Sequence, residues 1–140
     1  MRKDLGVEGL GDLVKRPFVA TLATYRRDGS VLLSPVWHEW AGGGFNVIAN
    51  ADDVKTRHIR NDPRASLVLY DNDPPYRGVE IRTTPRIIVD GAHDVLRRIA
   101  IRYLGKERGE AYASTPSGEE IVIRLEPGDL RTWDFADDEF

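Results

Sequence analysis

From Phe18 to Asn50 the apolar residues come in three short runs separated by turn chemistry, a pattern that predicts three consecutive strands. Phe18 to Tyr25 is rich in β-branched and aromatic residues. Asp28-Gly29 supplies a hairpin turn, Val31 to Trp40 returns, and Gly42-Gly43-Gly44 leads into Phe45 to Asn50. Pro35 cannot donate to a ladder, so its place in the second run implies a bulge or a sheet edge. Asp52 or Asp53 is positioned to cap a short helix with Val54 and Ile59 toward the core, and Asn61-Asp62-Pro63 stops it. Arg64 to Tyr70 reads as a strand, "DNDPPYRG" as a loop, and Val79 to Val89 as extended chain bent at Pro85. Val95, Leu96, Ile99, Ala100 and Tyr103 recur at helical spacing within Ala92 to Leu104, and Gly105 terminates that helix. Two short strands around Pro127-Gly128 close the chain.

The sum is a mainly β fold of six or seven antiparallel strands with one short and one longer helix. The early strands are too close together for crossover helices, and a closed or partly closed barrel removes exposed edges. Residues 1–140 read as a single domain, with 1–16 as an N-terminal helix or arm and 136–140 as a frayed tail.

Composition narrows the function classes. A formal net charge of −3 argues against nucleic acid as a partner, because a phosphate backbone demands a broad basic surface. With no cysteine, disulfides and thiol-ligated metals are excluded, and His38, His58 and His93 suggest no metal triad. No apolar stretch has the length of a signal peptide or a membrane span, and the chain reads as cytoplasmic.

Against that acidic background, "DDVKTRHIRNDPRAS" gathers Lys55, Arg57, His58, Arg60 and Arg64. Two readings stand. One is a solvated helix face. The other is an anion site, in which helix-terminal amides, Lys55, Arg57 and the Thr56 hydroxyl cradle a phosphate. Asp52 and Asp53 count against the second. In "SPVWHEW", a proline bulge with Trp37 and Trp40 offers either a slot for a planar heterocycle or plain barrel core. No nucleophile elbow, P-loop, G-x-G-x-x-G or HExxH is present, and no catalytic residue is assigned. Redox or group-transfer chemistry would therefore belong to a cofactor.

"FVATLATYRRDGSVLLSPVWHEW", "VKTRHIRNDPRASLVLYD", "PYRGVEIR", "RYLG" and "IVIRLEP…RTWDF" occur in this order. Together they resemble the pyridoxamine-phosphate-oxidase-like split β-barrel superfamily, and within it the class B flavin/deazaflavin oxidoreductases that use coenzyme F420. The resemblance covers Pro17 to Phe135 and implies a Greek-key split barrel. It also implies a homodimer with cofactor grooves at the subunit interface, and hydride transfer between reduced deazaflavin and a small acceptor such as an enone, quinone or tetrapyrrole. The phosphate role maps onto Lys55, Thr56 and Arg57. Ring contacts map onto Ser34, Pro35, Val36 and Trp37 and onto Ala49 and Asn50, and contacts to the cofactor tail map onto Tyr76 and Arg77. Trp133 would close the site, and His38, Tyr76 or solvent would supply a proton. Asp53 departs from the resemblance, since many deazaflavin-using relatives carry a basic residue there. FMN on the same fold and a non-catalytic cofactor carrier are the alternatives. Pyridoxamine-phosphate oxidation is disfavoured because no basic site for a substrate phosphate is evident near the end of the chain.

Overall fold

The computed structural model describes residues 1–115 and 117–138. In chain order the strands are β1 (Arg2–Lys3), β2 (Ala20–Tyr25), β3 (Val31–Val36), β4 (Glu39–Ala41), β5 (Gly44–Asn50), β6 (Ala65–Tyr70), β7 (Arg77–Thr83), β8 (Arg86–Ile88), β9 (Glu120–Leu125) and β10 (Asp129–Asp134). The helices are α1 (Val54–Asn61), α2 (Ala92–Leu104) and α3 (Lys106–Ala113), with two 3-10 turns at Val7–Leu10 and Leu13–Lys15. Seven of the strands have six or seven residues, and β1, β4 and β8 are short additions of two or three. Among the described residues no helix is long and apolar enough to cross a membrane.

Every strand pair is antiparallel. A six-stranded sheet runs β1-β10-β7-β6-β2-β3 and a four-stranded sheet runs β4-β5-β9-β8. The chain changes sheets where the ladder breaks: after Val36, giving β3 and β4 in place of one long strand, and at Thr84-Pro85, between β7 and β8. Pro35 lies on β3, at the edge of the larger sheet, where its missing N–H costs no ladder bond. Leu22, Phe45, Leu67, Leu69, Ile81, Ile121, Ile123 and Leu125 form the buried core of this split barrel. Each such side chain stabilises the fold by roughly 1.5–3 kcal/mol relative to an exposed one.

The N-terminal arm is part of that core. Val7, Leu10, Leu13 and Val14 are buried in it. Two arginines hold the arm: Arg77 donates to the Leu10 carbonyl at 2.7 Å, and Arg102 donates to the carbonyls of Val14, Lys15 and Arg16. At the other end, residues 136–138 form a turn in which the Asp138 carboxylate pairs with the N-terminal ammonium at 2.7 Å. Residues 139 and 140, the rest of the expected frayed tail, lie outside the described residues.

α1 runs from Val54 to Asn61 and stops before Asp62-Pro63, as the proline chemistry predicts. Asp53 stands at the N-cap position, but its carboxylate accepts from the Asn50 amide and makes no capping bond to the helix. It buries Ile59 and Thr56, but Val54 is 48% exposed rather than directed to the core. α2 keeps its expected bounds. α3 was not expected, because "KERGEAYA" carries a mid-helix glycine and no apolar stripe. Tertiary packing overrides that weak propensity. A Cβ on Gly109 would lie 2.5 Å from the Ile101 Cα, so only glycine lets α3 approach α2 this closely.

Candidate functional site

A groove of about 260 Å³ opens where β3, β5 and α1 meet α2 and α3. It is lined by Pro35, Val36, Trp37, Ile48, Lys55, Leu96, Ile99 and Tyr112. Trp37 follows the break in β3 and is held flat against Tyr103, with ring centroids 4.9 Å apart and planes 6° from parallel. Tyr112 on α3 tilts onto the same indole at 5.7 Å. The result is a slot lined mainly by apolar and aromatic side chains, with Lys55 as the one cation among them.

Lys55 reaches the slot from the first turn of α1. Its Nζ lies 3.3 Å from Asp53 Oδ2, and the same oxygen accepts from the Asn50 amide at 2.9 Å. Asp53, the residue that departs from the resemblance, therefore closes the β5–α1 turn and pairs with the lysine that an anion would need. Thr56 is fully buried, and its hydroxyl donates to the Asn50 carbonyl at 2.8 Å. That hydroxyl anchors the helix and does not face a ligand. The amides of residues 54 to 56 have no partner within the helix.

The expected site residues divide. Pro35, Val36, Trp37 and Lys55 come together, and Asn50 borders them through the turn. Ser34 is half-buried on β3 beside them, while Ala49 is buried in the core. Arg57 is separated from Lys55. It is exposed on the opposite side of α1, in a depression with Arg26 and Arg27. The phosphate cradle expected from Lys55, Thr56 and Arg57 is thus not assembled in one chain. Two residues apart on a helix is about 200° of rotation, which sends the two cations to different faces.

Tyr76 and Arg77 also lie away from the groove. Tyr76 takes φ +56° in the loop before β7, and Arg77 is committed to Leu10, Asp12 and Asp71 of its own chain. Trp133 packs over Gly78, where a Cβ would lie 2.1 Å from the indole, and lines a different hollow with Lys3, Arg131 and Phe135. Trp40 meets Phe45 edge-on at 4.9 Å and packs on the core rather than lining the slot.

His38 is fully buried, edge-on to Phe45 and Tyr103, and neither ring nitrogen has a hydrogen-bond partner. Burial, then the nearby Arg102 charge, push its pKa down to about 4. It is neutral at pH 7 and cannot deliver a proton into the groove, which removes it from the proton-donor role. Its neighbour Tyr103 donates to the Phe18 carbonyl at 2.6 Å and accepts from the His38 amide at 3.2 Å, and burial raises its pKa. Glu39 next door is held by Arg98 and Asn46. Burial favours its neutral form, but these partners outweigh burial and keep it ionised, tying α2 to the smaller sheet.

Sequence reasoning missed Ile48, Leu96, Ile99 and Tyr112. The helical period marked Leu96 and Ile99 as core, and in fact they floor the groove as well. Tyr112 carried no signal, since the helix that presents it was not expected.

Residues 8–134 match the family model described as pyridoxamine 5'-phosphate oxidase. No curated protein matches the chain. Among solved structures, a conserved hypothetical protein from Mycobacterium tuberculosis is 25% identical with a TM-score of 0.81, covering 94% of this chain and 86% of that one. An F420 reductase is 24% identical with a TM-score of 0.72, covering 89% and 98%. An FAD and heme binding protein from Mycobacterium smegmatis is 19% identical with a TM-score of 0.73, covering 94% and 72%. The family model spans nearly the whole chain, and this chain belongs to the pyridoxamine 5'-phosphate oxidase family.

Proposed function

We propose that the chain is an oxidoreductase that binds a coenzyme F420-type deazaflavin in the Trp37–Lys55 groove and serves a small, planar organic acceptor of the enone, quinone or tetrapyrrole kind. The observation that carries this reading is the groove itself, walled by Pro35–Trp37 and aromatic side chains, with Lys55 the one cation in its lining. The residues present fit such a group. A conjugated ring system needs the aromatic wall, and a phosphate needs the ammonium. When bound, the deazaflavin supplies the hydride. The chain's part is placement: Trp37 is fixed by its stack on Tyr103, Ile48, Leu96 and Ile99 exclude water, and Lys55 anchors the anionic end. Tyr112 holds a phenolic proton at the mouth of the groove, within reach of an acceptor lying on Trp37.

In this reading two copies complete the site. β3 is an edge strand with exposed Val31 and Leu33, 43% and 64%, which suits burial against a second copy. The loop bearing Tyr76 and Arg77 would approach from that copy.

Titration of the protein with the deazaflavin and with FMN, followed by Trp fluorescence, tests the reading. Micromolar quenching by the deazaflavin supports it. Quenching by FMN alone moves the assignment to a flavin enzyme, and tight deazaflavin binding with no turnover of any acceptor makes the chain a carrier. Asp53→Asn keeps an acceptor for the Asn50 amide but frees Lys55 from its carboxylate. With about 1 kcal/mol for such a partly exposed pair, deazaflavin affinity should rise roughly fivefold in the same titration. Unchanged or weaker affinity would show that Lys55 does not meet the anion.

A further inference from the structure

We propose that the depression on the outer side of α1 is a second anion site, separate from the groove, for a small polyanion carrying at least two carboxylate or phosphate groups. The depression measures about 600 Å³ and lies between α1 and the turn that joins β2 to β3. One wall is a single helix face, Val54, Arg57, His58 and Asn61 at spacings i, i+3, i+4 and i+7. The other wall is Arg26, Arg27 and Asp28.

Two of the three guanidinium groups there are not used elsewhere. Among the described residues, the side chains of Arg27 and Arg57 make no hydrogen bond or ion pair, whereas those of most other arginines are engaged. Arg26 is fixed by donating to the Val31 carbonyl at 2.9 Å and to Ser30 Oγ at 3.3 Å. His58 is oriented by a 3.0 Å hydrogen bond between its Nδ1 and Thr24 Oγ1. The opposing carboxylate, Asp28, is turned onto the hydroxyl and amide of Ser30 at 2.6 and 2.9 Å, contacts that lower its pKa. Three guanidinium groups thus face one carboxylate that is already engaged.

A solvated arginine face would spread its cations over a convex surface. Here two elements place them around a hollow that the exposed Val54 side chain also lines. Guanidinium forks match carboxylate and phosphate oxygens, and that apolar contact accommodates a short hydrocarbon link between two such groups. Two sources offer this chemistry: the tail of a cofactor seated in the Lys55 groove, or a separate soluble polyanion.

The test titrates the full chain with tri-glutamate and with tripolyphosphate while NMR follows residues 26–28 and 54–61. Saturable shifts confined to both walls are expected. Arg27→Gln combined with Arg57→Gln should weaken them at least about tenfold, and Lys55→Ala should leave them in place. Both arginines are exposed, so the double variant keeps the fold. Shifts that never saturate, or that persist equally in the double variant, overturn the site. A third arm adds deazaflavin with a long acidic tail. Loss of tri-glutamate binding identifies the cofactor tail as the occupant, and simultaneous binding identifies a separate ligand. Tri-glutamate binding in a chain that binds no deazaflavin upholds this site while ending the cofactor reading.

Discussion

Replacing Lys55 with alanine should weaken deazaflavin binding by about ten- to a hundredfold, the range expected for one charge-assisted contact to phosphate in a partly desolvated slot. The residue is the one cation among those that line the groove, and its side chain is only 21% exposed. The loss should appear as a higher Kd and KM for the cofactor, with the protein's melting temperature nearly unchanged, because the Asp53–Lys55 pair is a partly exposed contact of small structural value. Arg57→Ala is the matched control. Its side chain lies on the other side of α1, so a cofactor truncated just beyond its phosphate should bind it as it binds the parent chain. Equal losses in the two variants would mean that both cations meet one phosphate, contrary to the separation described above.

The second large effect concerns stability in acid. His38 has a folded-state pKa of about 4 against an ordinary value of 6.5. Above pH 6.5 both the folded and the unfolded chain hold it neutral, and stability is unaffected. As the pH falls below 6.5 the unfolded chain takes up a proton that the buried ring refuses, so stability declines until about pH 4. The full difference, about 2.5 pKa units, corresponds to roughly 3 kcal/mol. His38→Leu should flatten this part of the acid limb. It should also raise stability at pH 7, since it replaces two buried nitrogens that have no hydrogen-bond partner by an apolar group of similar size. Urea denaturation at pH 7 and pH 4.5, comparing the two chains, reads the difference directly. Carboxylates such as Glu39 add their own acid sensitivity, which is common to both proteins and cancels. An identical pH dependence in the variant would show that His38 finds a partner that the packing around it does not display.

The long strands, α1 and α2 were legible because each is written locally: turn residues at Asp28-Gly29 and Pro127-Gly128, the Asn61-Asp62-Pro63 stop of α1, a helical period through Leu96 and Ile99. α3 was not, because its stability comes from a backbone contact at Gly109, a property of the packed pair and not of the segment. Part of the groove's geometry was legible in the sequence: Pro35–Trp37 and Lys55 line one hollow, where the edge strand β3 lies beside the start of α1. The other candidate residues lie elsewhere for geometric reasons. Adjacent cations in "KTRHIR" read as one cluster along the chain, yet the helix distributes them over two faces. Arg77 and His38 looked like chemistry in the sequence. The first is spent on holding the N-terminal arm and the second on filling the barrel. Isolated residue types do not report how they are partnered, and that information lies in long-range contacts.

The central claim is that the Trp37–Lys55 groove holds the cofactor. A crystal structure of the complex with the deazaflavin tests it most directly. The account predicts the ring system against Pro35–Trp37 beneath Tyr112, and a phosphate oxygen about 3 Å from Lys55 Nζ. A cofactor found instead over Trp133 and Phe135, or one whose phosphate is gripped by Arg57 with Lys55 still paired to Asp53, would contradict it.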